Sequence, residues 1–403
     1  MSMPAFAAAP RRSLSARATT IYAAITAVSF SVTSSAPTPL YHLYQQAMQL
    51  SPLTVMVVFA SYAFAMLAAF LTVARLSDYV GRRPMILAAL VLNALALMLF
   101  ASAGAAWELI LARVVQGVAT GIGMTTLGAA ILDTDKINGS LYNSVTAFLG
   151  LMLGSLLAGI LVSFAPFPGQ LIYLLLLAVT LVEAAVLLVA PETTSGKPGA
   201  LTALTPHVSV PRAALPVLIR LLPLNIAGWA LGGFYLSLMP SLVAIATGAT
   251  SLFVGAAVVS ALMLTASITV LAFRRLAPAR MLIIAMLALI AGIALTLAAV
   301  FLQSAPLMIL GTVVAGIGFG NAYSGNLRTI LPLAGDHERA GLLAAYFAES
   351  YLAFAIPAIL AGMAAPILGL VTTTYVYGAV LIVLILISLV ASLERKPPRQ
   401  MEI

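Results

Sequence analysis

The sequence predicts an all-α integral membrane protein in which twelve transmembrane helices form two pseudo-symmetric six-helix bundles. Of the 403 residues, 63% are hydrophobic and only 7% are charged, and the mean hydropathy is +1.13. A soluble protein of this length carries about a quarter charged residues, so this chain could not cover its surface in water. Because a bilayer offers no hydrogen-bond partner to an open backbone, apolar runs of about 20 residues are predicted to cross it as helices.

Twelve such runs are separated by short turns. They cover 19–40, 52–74, 84–103, 107–130, 141–164, 170–190, 216–242, 250–272, 281–302, 306–331, 340–363 and 369–391. The longest polar stretch, 191–215, contains Gly, Pro, Ser and Thr without an apolar period, which is typical of a linker. The predicted order of tail, bundle, linker, bundle and tail is therefore 1–18, 19–190, 191–215, 216–391 and 392–403.

The basic residues orient the chain. If the N-terminus lies inside, the outer segments are 41–51, 104–106, 165–169, 243–249, 303–305 and 364–368. None of these segments contains Lys or Arg. Every basic residue except Arg113 lies in an inner tail, inner loop or inner helix end, as the positive-inside rule requires. We therefore expect a multi-pass protein of the cytoplasmic (inner) membrane with both termini in the cytoplasm. The basic pI follows from this topology and does not predict nucleic-acid binding.

The sequence offers no pattern typical of catalysis or metal binding. Absence of cysteine excludes disulfides and thiolate metal sites, and the three histidines, His42, His207 and His337, are isolated. No nucleophile–base pair can be argued from the spacing. We therefore expect no enzyme activity, no catalytic residue, no metal and no cofactor.

The turn between the second and third spans carries the strongest motif. It reads RLSDYVGRRP over residues 75–84. It resembles the loop signature of the major facilitator superfamily of transporters, Gly-x-Leu-x-Asp-(Arg/Tyr)-x-Gly-Arg-(Arg/Lys), with Ala74 in place of the leading Gly. The resemblance implies the major facilitator fold, alternating access between the two bundles, and a conformational latch at the cytoplasmic face formed by Asp78, Gly81, Arg82 and Arg83. The alternative interpretation is a solvated turn that only satisfies the positive-inside rule.

The fourth span carries a second motif, LILARVVQG over residues 109–117. It resembles the family pattern Leu-x-x-x-Arg-x-x-Gln-Gly at every fixed position. Since an ion inside the bilayer costs several kcal/mol unless it faces a cavity or a partner, Arg113 is a candidate functional residue. The resemblance implies a role in proton-coupled conformational change. The alternative is a structural Arg that bonds to backbone carbonyls.

The fifth span reads GLMLGSLLAG over residues 150–159. Proton-driven exporters of the superfamily carry Gly-x-x-x-Gly-Pro-x-x-Gly-Gly at this place. The glycine spacing is similar here, but Ser155 replaces Pro and Ala158 replaces the first of the paired Gly. The spacing favours antiport, although small residues also suit dense packing in any bundle.

Glu349 is predicted to lie near the middle of the eleventh span. A protonatable acid in a transport path is what coupling to a proton gradient needs, so Glu349 joins Arg113 as a candidate proton-coupling residue. The alternative is a neutral carboxyl bonded to a neighbouring helix. Glu183, toward the inner end of the sixth span, is assigned mostly to structure.

In the resembling fold, helices 1, 4, 7 and 10 line a central cavity. The first span offers hydroxyls and no carboxylate. The candidate substrate contacts on the other three are Gln116, Asn225, Trp229, Tyr235, Asn321, Tyr323 and Asn326. A mostly neutral cavity of aromatics, amides and hydroxyls favours an amphipathic or weakly charged organic solute.

The predicted function is proton-coupled export of a small organic solute, similar to the twelve-helix drug:proton antiporter branch of the superfamily. The alternative within transport is a proton symporter or uniporter that imports a metabolite such as a sugar or organic acid. A receptor would not need buried coupling ions, and an intramembrane enzyme would need a reactive constellation that is missing. The expected partners are the solute, protons and the lipid bilayer, with the protein acting as a monomer.

Overall fold

A computed structural model of the protein describes residues 14–206, 208–248, 251–335 and 337–393. Every regular element in these ranges is a helix. Most of the predicted tails 1–18 and 392–403, together with His207 in the linker, lie outside the described residues.

The N-terminal half contains eight helices in the described ranges. In chain order they are α1 (Ala16–Ser35), α2 (Tyr41–Ala47), α3 (Pro52–Val73), α4 (Ser77–Val80), α5 (Arg82–Ser102), α6 (Ala106–Thr134), α7 (Gly139–Phe164) and α8 (Leu171–Leu187). The C-terminal half contains seven in the described part of the chain. They are α9 (Leu215–Ser237), α10 (Met239–Thr247), α11 (Leu252–Ala272), α12 (Pro278–Phe301), α13 (Ala305–Ile330), α14 (Arg339–Leu368) and α15 (Leu370–Leu393).

Twelve of these fifteen helices are long, and they correspond one by one to the twelve predicted spans. Ten of the described helices are long and apolar enough to cross a membrane, and α8 is a shorter apolar helix. The remaining long helix, α1, is rich in Ser and Thr, which lowers its hydropathy. The all-helical fold predicted from the sequence is therefore confirmed, with α2, α4 and α10 as short additions.

Local sequence explains where several helices begin. Side-chain hydroxyls of Ser15, Ser51 and Ser304 accept hydrogen bonds from the first-turn amides of α1, α3 and α13. Such N-caps satisfy amides that have no partner inside the helix. Proline in the first turn, as in α3 and α12, is tolerated because its missing N–H is not needed there.

Two predicted spans are too long, and proline is the reason in both. The span 19–40 ends as a helix at Ser35, because Pro37 and Pro39 cannot donate backbone hydrogen bonds and the chain turns before α2. The span 216–242 is divided at Leu238 into α9 and α10, with Pro240 in the first turn of α10. The predicted linker 191–215 lies between α8 and α9 and includes a 3-10 turn over Ala200–Leu204.

Each half packs mainly on itself, and two helix pairs make the most extensive contacts between the halves. These pairs are α3 with α14 and α7 with α11. Within the N-terminal half, α6 approaches α3 closely at Gly117, where a Cβ would stand 2.5 Å from the Tyr62 carbonyl oxygen. The close approach brings the middle of α6 against α1 and α3, and this contact positions the first of the two polar centres described next.

Candidate functional site

Arg113 lies in the interior of the N-terminal half with only 1% of its surface exposed. One guanidinium nitrogen, Nη1, donates to the Ser34 carbonyl at 2.9 Å and to Gln116 Oε1 at 2.7 Å. The other, Nη2, donates to the hydroxyl of Tyr41. Gln116 in turn donates through Nε2 to the Thr33 carbonyl at 2.8 Å. We call this group the arginine centre.

The end of α1 makes the arginine centre possible. In a continuous helix the Thr33 carbonyl would accept from residue 37, but Pro37 has no N–H to donate. The next amide, that of Thr38, bonds to the Ser35 carbonyl instead. Two backbone acceptors are therefore free at the same turn, and Arg113 and Gln116 fill them.

Aromatic rings complete the surroundings of Arg113. Its guanidinium carbon lies 5.4 Å from the ring centroids of Tyr41 and Tyr62 and 5.7 Å from that of Phe100. Cations are attracted to ring faces at such distances. Among the described residues no carboxylate bonds to Arg113, so carbonyls, an amide, a phenol and three rings stabilise its charge. Only its Nε has no hydrogen-bond partner in the described structure.

A second polar network joins three helices of the C-terminal half. Asn225 on α9 donates through Nδ2 to Glu349 Oε1 at 3.1 Å and to Ser350 Oγ at 3.0 Å, both on α14. Asn326 on α13 donates through Nδ2 to Asn225 Oδ1 at 3.1 Å. We call this group, together with Tyr346 of α14, the glutamate centre.

The glutamate centre is only half satisfied. Three buried atoms have no partner among the described residues: Glu349 Oε2, Asn326 Oδ1 and the Tyr346 hydroxyl. Leaving a buried polar atom unpaired costs about 1–3 kcal/mol, so these three atoms call for a partner such as a water molecule or a bound ligand. The arrangement offers an incoming molecule two acceptors and one hydroxyl.

An aromatic cluster covers the glutamate centre. The Trp229 ring centroid lies 5.3 Å from that of Tyr351, 6.2 Å from Phe354 and 6.4 Å from both Tyr323 and Phe347. Helices of the other half reach the same cluster.

Phe148 of α7 lies 5.2 Å from Tyr323, and Phe59 and Phe70 of α3 each lie 5.0 Å from a ring of α14. The two halves of the protein therefore meet over the glutamate centre.

The structure separates the seven predicted substrate contacts into groups. Asn225, Trp229, Tyr323 and Asn326 lie in or over the glutamate centre, and Gln116 belongs to the arginine centre. The Tyr235 hydroxyl lies 3.3 Å from Thr296 Oγ1 and 3.1 Å from Thr312 Oγ1, inside the C-terminal half.

Asn321 donates to the Ile317 carbonyl of its own helix at 3.1 Å. Sequence reasoning missed Tyr346 and Ser350. Tyr346 lies three residues before Glu349 and Ser350 directly after it, and this closeness in sequence was the available signal.

A cavity of about 290 Å³ opens at the predicted outer ends of the helices. It lies between α2, the start of α3, α10 and the end of α14, and its lining includes Tyr41, His42, Met56, Ser237, Pro366 and Leu370. Because Tyr41 also bonds to Arg113, this single side chain connects the cavity to the arginine centre.

The loop motif forms a compact charged cluster. Arg82 Nη1 contacts Asp78 Oδ1 at 2.5 Å and Ser77 Oγ at 2.6 Å, while its Nε contacts Asp133 Oδ2 at the end of α6 at 3.1 Å. The carboxylate of Glu192, in the linker, accepts from the backbone amides of Arg82 and Arg83 at 2.7 and 3.0 Å. A carboxylate at this position caps α5 and complements its positive N-terminal end.

Gly81 is required by this cap. Its φ is +111°, and a Cβ would stand 2.8 Å from Glu192 Oε2. The contacts of Asp78 and Arg82 among the described residues are with the N-terminal half and with Glu192 of the linker, so the predicted latch between bundles stays a prediction. Sequence reasoning missed Asp133 and Glu192 as partners of the motif.

The glycines of α7 lie at close contacts with two other helices, one in its own half and one in the other half. Gly150 and Gly154 abut the backbone of α1, and Gly159 abuts Ala256 of α11. Ser155, at the position where the exporter pattern has Pro, donates to the Ala256 carbonyl at 3.4 Å. The small residues of this helix therefore permit close packing on both sides.

Comparison with known proteins agrees with this architecture. The sequence model of the Major Facilitator Superfamily matches residues 22–356. No curated protein matches the chain.

Among solved structures, the chain is similar to the nucleoside transporter NupG, at 12% identity, a TM-score of 0.71 and coverage of 94% of this chain and 100% of that one. It is also similar to a D-xylose-proton symporter, at 14% identity, a TM-score of 0.71 and coverage of 92% and 96%. A POT family transporter in complex with 5-aminolevulinic acid has 15% identity, a TM-score of 0.74 and coverage of 93% and 95%.

At such identities these likenesses concern the fold alone. The assignment to a family rests on the match of the superfamily model over most of the chain, and the two bundles of apolar helices agree with it. The chain belongs to the Major Facilitator Superfamily and is a multi-pass membrane transporter rather than an enzyme.

Proposed function

We propose that this transporter exports a small organic solute across the cytoplasmic membrane in exchange for protons, by alternating access between its two bundles. The observation that carries the proposal is the half-satisfied carboxyl of Glu349 under the aromatic cluster where the bundles meet.

Competition at one atom supports exchange. Glu349 Oε1 is held by Asn225, whereas Oε2 has no partner among the described residues. A proton on Oε2 removes the negative charge of the carboxylate and turns this strong acceptor into a donor, so a proton and a donor group of the solute compete for the same atom. A carrier in which proton and solute exclude each other at the same atom operates as an antiporter.

The aromatic cluster supports an organic solute. Trp229, Tyr323 and Tyr351 present ring faces and edges next to the unpaired acceptors, which suits a molecule with an apolar body and a donor group. A neutral or weakly basic compound fits this combination better than a multivalent ion.

Arg113 is proposed to couple the movement rather than to carry the proton. An Arg side chain stays protonated under all physiological conditions. Its bonds to Ser34 and Tyr41 join α6 to the break that follows α1, so a change at this break is transmitted to the centre of the bundle. At the other end of the bundle, the cluster around Asp78 and Arg82 is proposed to act as the cytoplasmic latch.

The glycine spacing of α7 supports export, and the basic-residue distribution supports an inner-membrane carrier with both termini in the cytoplasm. We further propose that the protein works as a monomer, because one chain supplies both of the bundles that alternating access requires.

A second candidate function is import of a metabolite such as a sugar or organic acid by proton symport. The observation that favours it is Ser155, since the exporter pattern has Pro at this position and Ser155 instead bonds to α11 in the other half.

Acid-loaded proteoliposomes distinguish the two functions. A panel of fluorescent organic amines, with neutral sugars and organic acids as comparison, is added outside vesicles that contain a pH-sensitive dye. Compound-stimulated loss of protons from the lumen, beyond the loss in vesicles without protein, supports antiport. Entry of a compound together with protons, in vesicles with an imposed inward proton gradient, contradicts export and supports symport.

A further inference from the structure

A second buried acid lies outside both centres described above. Glu183 on α8 is 6% exposed, and neither of its carboxylate oxygens has a hydrogen-bond partner among the described residues. No basic side chain forms an ion pair with it in that part of the chain; the ion pairs found there belong to Arg82.

Two hydroxyls on α1 are also buried without a hydrogen-bond partner. Thr26 is fully buried and Ser29 is 7% exposed, and the oxygen of each is buried without a partner in the described structure. Other hydroxyls of the same helix behave differently. Thr20, Ser34 and Ser35 donate to carbonyls four residues earlier, at 3.1, 2.7 and 3.3 Å. Back-bonding is therefore the ordinary solution in α1, and Thr26 and Ser29 depart from it.

The packing of α1 against α8 brings these atoms together. The Leu14 amide bonds to the Val189 carbonyl, and the Tyr22 hydroxyl bonds to the Glu183 carbonyl at 3.0 Å, so the two helices run antiparallel. Tyr22, Thr26 and Ser29 follow at i, i+4 and i+7 and occupy one face of α1.

The direction of the Glu183 side chain also brings its carboxyl toward the hydroxyls of α1. Helical side chains lean toward the N-terminus of their own helix. Because α8 runs antiparallel to α1, the Glu183 side chain leans toward the C-terminal end of α1, from the level of Tyr22 toward that of Ser29. The Ser29 hydroxyl lies next to the Glu183 carboxyl, and the Thr26 hydroxyl lies next to that of Tyr22, but neither contact has the geometry of a full hydrogen bond.

A third helix adds one more oxygen nearby. Asn93 of α5 donates to Thr180 Oγ1 at 3.1 Å, one turn of α8 from Glu183. The Oδ1 atom of Asn93 is buried and has no partner in the described structure.

We propose that Thr26, Ser29 and Glu183 form a binding site for a sodium ion, separate from the glutamate centre and beyond the proposed transport function. The available ligands are all oxygens, which hard cations prefer. One carboxylate balances a single positive charge, so a monovalent ion leaves no net charge in the apolar bundle, whereas a divalent ion would. A sodium ion accepts lone pairs from all four unpaired oxygens of these three residues at once, whereas a proton bonds covalently to only one of them.

The site has a structural consequence. Glu183 lies four residues before the end of α8, about 6 Å along the helix. Tyr22 lies on the side of the site nearer the start of α1 and bonds to the same turn of α8. A bound ion would tie α1 to α8, and α1 also supplies the two carbonyls of the arginine centre.

Sodium binding is measured on the purified full-length protein in detergent at constant pH and ionic strength. Equilibrium binding of radioactive sodium and the melting temperature in NaCl, KCl or choline chloride are recorded. Saturable sodium binding and a melting temperature that rises with NaCl more than with the other salts are expected for the wild type.

The variants are Glu183→Gln, Thr26→Val and Ser29→Ala. Glu183→Gln is expected to abolish sodium binding, and each hydroxyl variant to weaken it by about tenfold or more. Thr19→Val is the matched control, because Thr19 is buried on the same helix but donates to the Ser15 carbonyl. Glu108→Gln removes an acid at the start of α6 instead. Both controls are expected to bind sodium like the wild type.

Two results would overturn the proposal. One is a wild type with no saturable sodium binding, including one whose melting temperature responds to pH alone. The other is sodium binding that persists unchanged in Thr26→Val and Ser29→Ala, which tests the site even if Glu183→Gln does not fold. Neither readout requires transport, so failure of the sodium site and failure of the proposed antiport are distinguishable.

Discussion

Arg113 in the N-terminal bundle and Glu349 in the C-terminal bundle are both ionisable side chains inside the membrane, but their surroundings differ. Arg113 has hydrogen bonds to Ser34, Gln116 and Tyr41 and lies among three rings. Among the described residues, Glu349 has one hydrogen bond, from Asn225, and a buried oxygen without a partner. A guanidinium with hydrogen bonds on most sides is a fixed structural group. A carboxyl with an unpaired oxygen can instead bind one group and then exchange it for another.

Glu349→Gln is expected to have the largest effect on transport. The amide keeps the size of the side chain and an oxygen that can accept from Asn225, but it cannot gain and lose a proton. Proton-driven transport in proteoliposomes should fall to the background of empty vesicles. Glu108→Gln is the control and should transport like the wild type. Undiminished transport by Glu349→Gln would show that another group exchanges the proton.

Arg113→Ala is expected to have the largest effect on stability. It removes the donor to Ser34, Gln116 and Tyr41 and leaves these buried acceptors unpaired, which should cost about 2 kcal/mol in addition to the lost packing. Thermal unfolding of the purified protein measures the difference, with Arg75→Ala, at an exposed position, as control. Glu349→Gln should unfold like the wild type. Equal destabilisation by Arg113→Ala and Glu349→Gln would remove the contrast between the two centres.

Asp78→Asn is expected to slow turnover several-fold and to change stability little. The ion pair with Arg82 is partly exposed, since 47% of the Asp78 side chain is accessible, and such pairs contribute about 1 kcal/mol or less. Arg82 also keeps its contact with Asp133. The rate of solute exchange and the yield of folded protein are measured together. A turnover rate equal to that of the wild type would contradict the role of this loop as a latch.

Tyr235→Phe tests the boundary of the glutamate centre and has the smallest expected effect. The sequence predicts Tyr235 as a substrate contact, but its hydroxyl lies between Thr296 and Thr312. Loss of these bonds should lower the free energy of unfolding by about 1 kcal/mol and leave the KM for the solute unchanged. The comparison variant is Asn326→Ala, for which KM should rise. A higher KM for Tyr235→Phe would extend the binding site toward α12.

The fold was largely predictable from the sequence because membrane spans are read from length, hydropathy and the position of basic residues. The short helices α2, α4 and α10 were not predicted, since each lies in, or runs into, a segment predicted to be a turn between spans. Pro37 and Pro39 indicated a break after Ser35. Membrane helices often tolerate proline in their interior, however, so the presence of proline alone does not show where a helix ends.

The two centres were predictable to different degrees. Arg113 and Gln116 stand three residues apart on one helix, so their contact follows from helical spacing. Their carbonyl partners follow from the missing N–H of Pro37, a signal that was present but not used. The contact between Asn225 and Glu349 joins residues 124 positions apart, and only the packing of α9 on α14 reveals it.

Proton release on solute binding tests the central claim most directly. The purified protein, in weakly buffered solution with a pH indicator, is mixed with the compound that gives the largest response in the vesicle panel. If proton and solute compete for Glu349, the wild type releases protons on binding and Glu349→Gln releases none, while Arg113→Lys, which keeps the charge, still releases them. Proton uptake on solute binding, or release that persists in Glu349→Gln, would contradict the account.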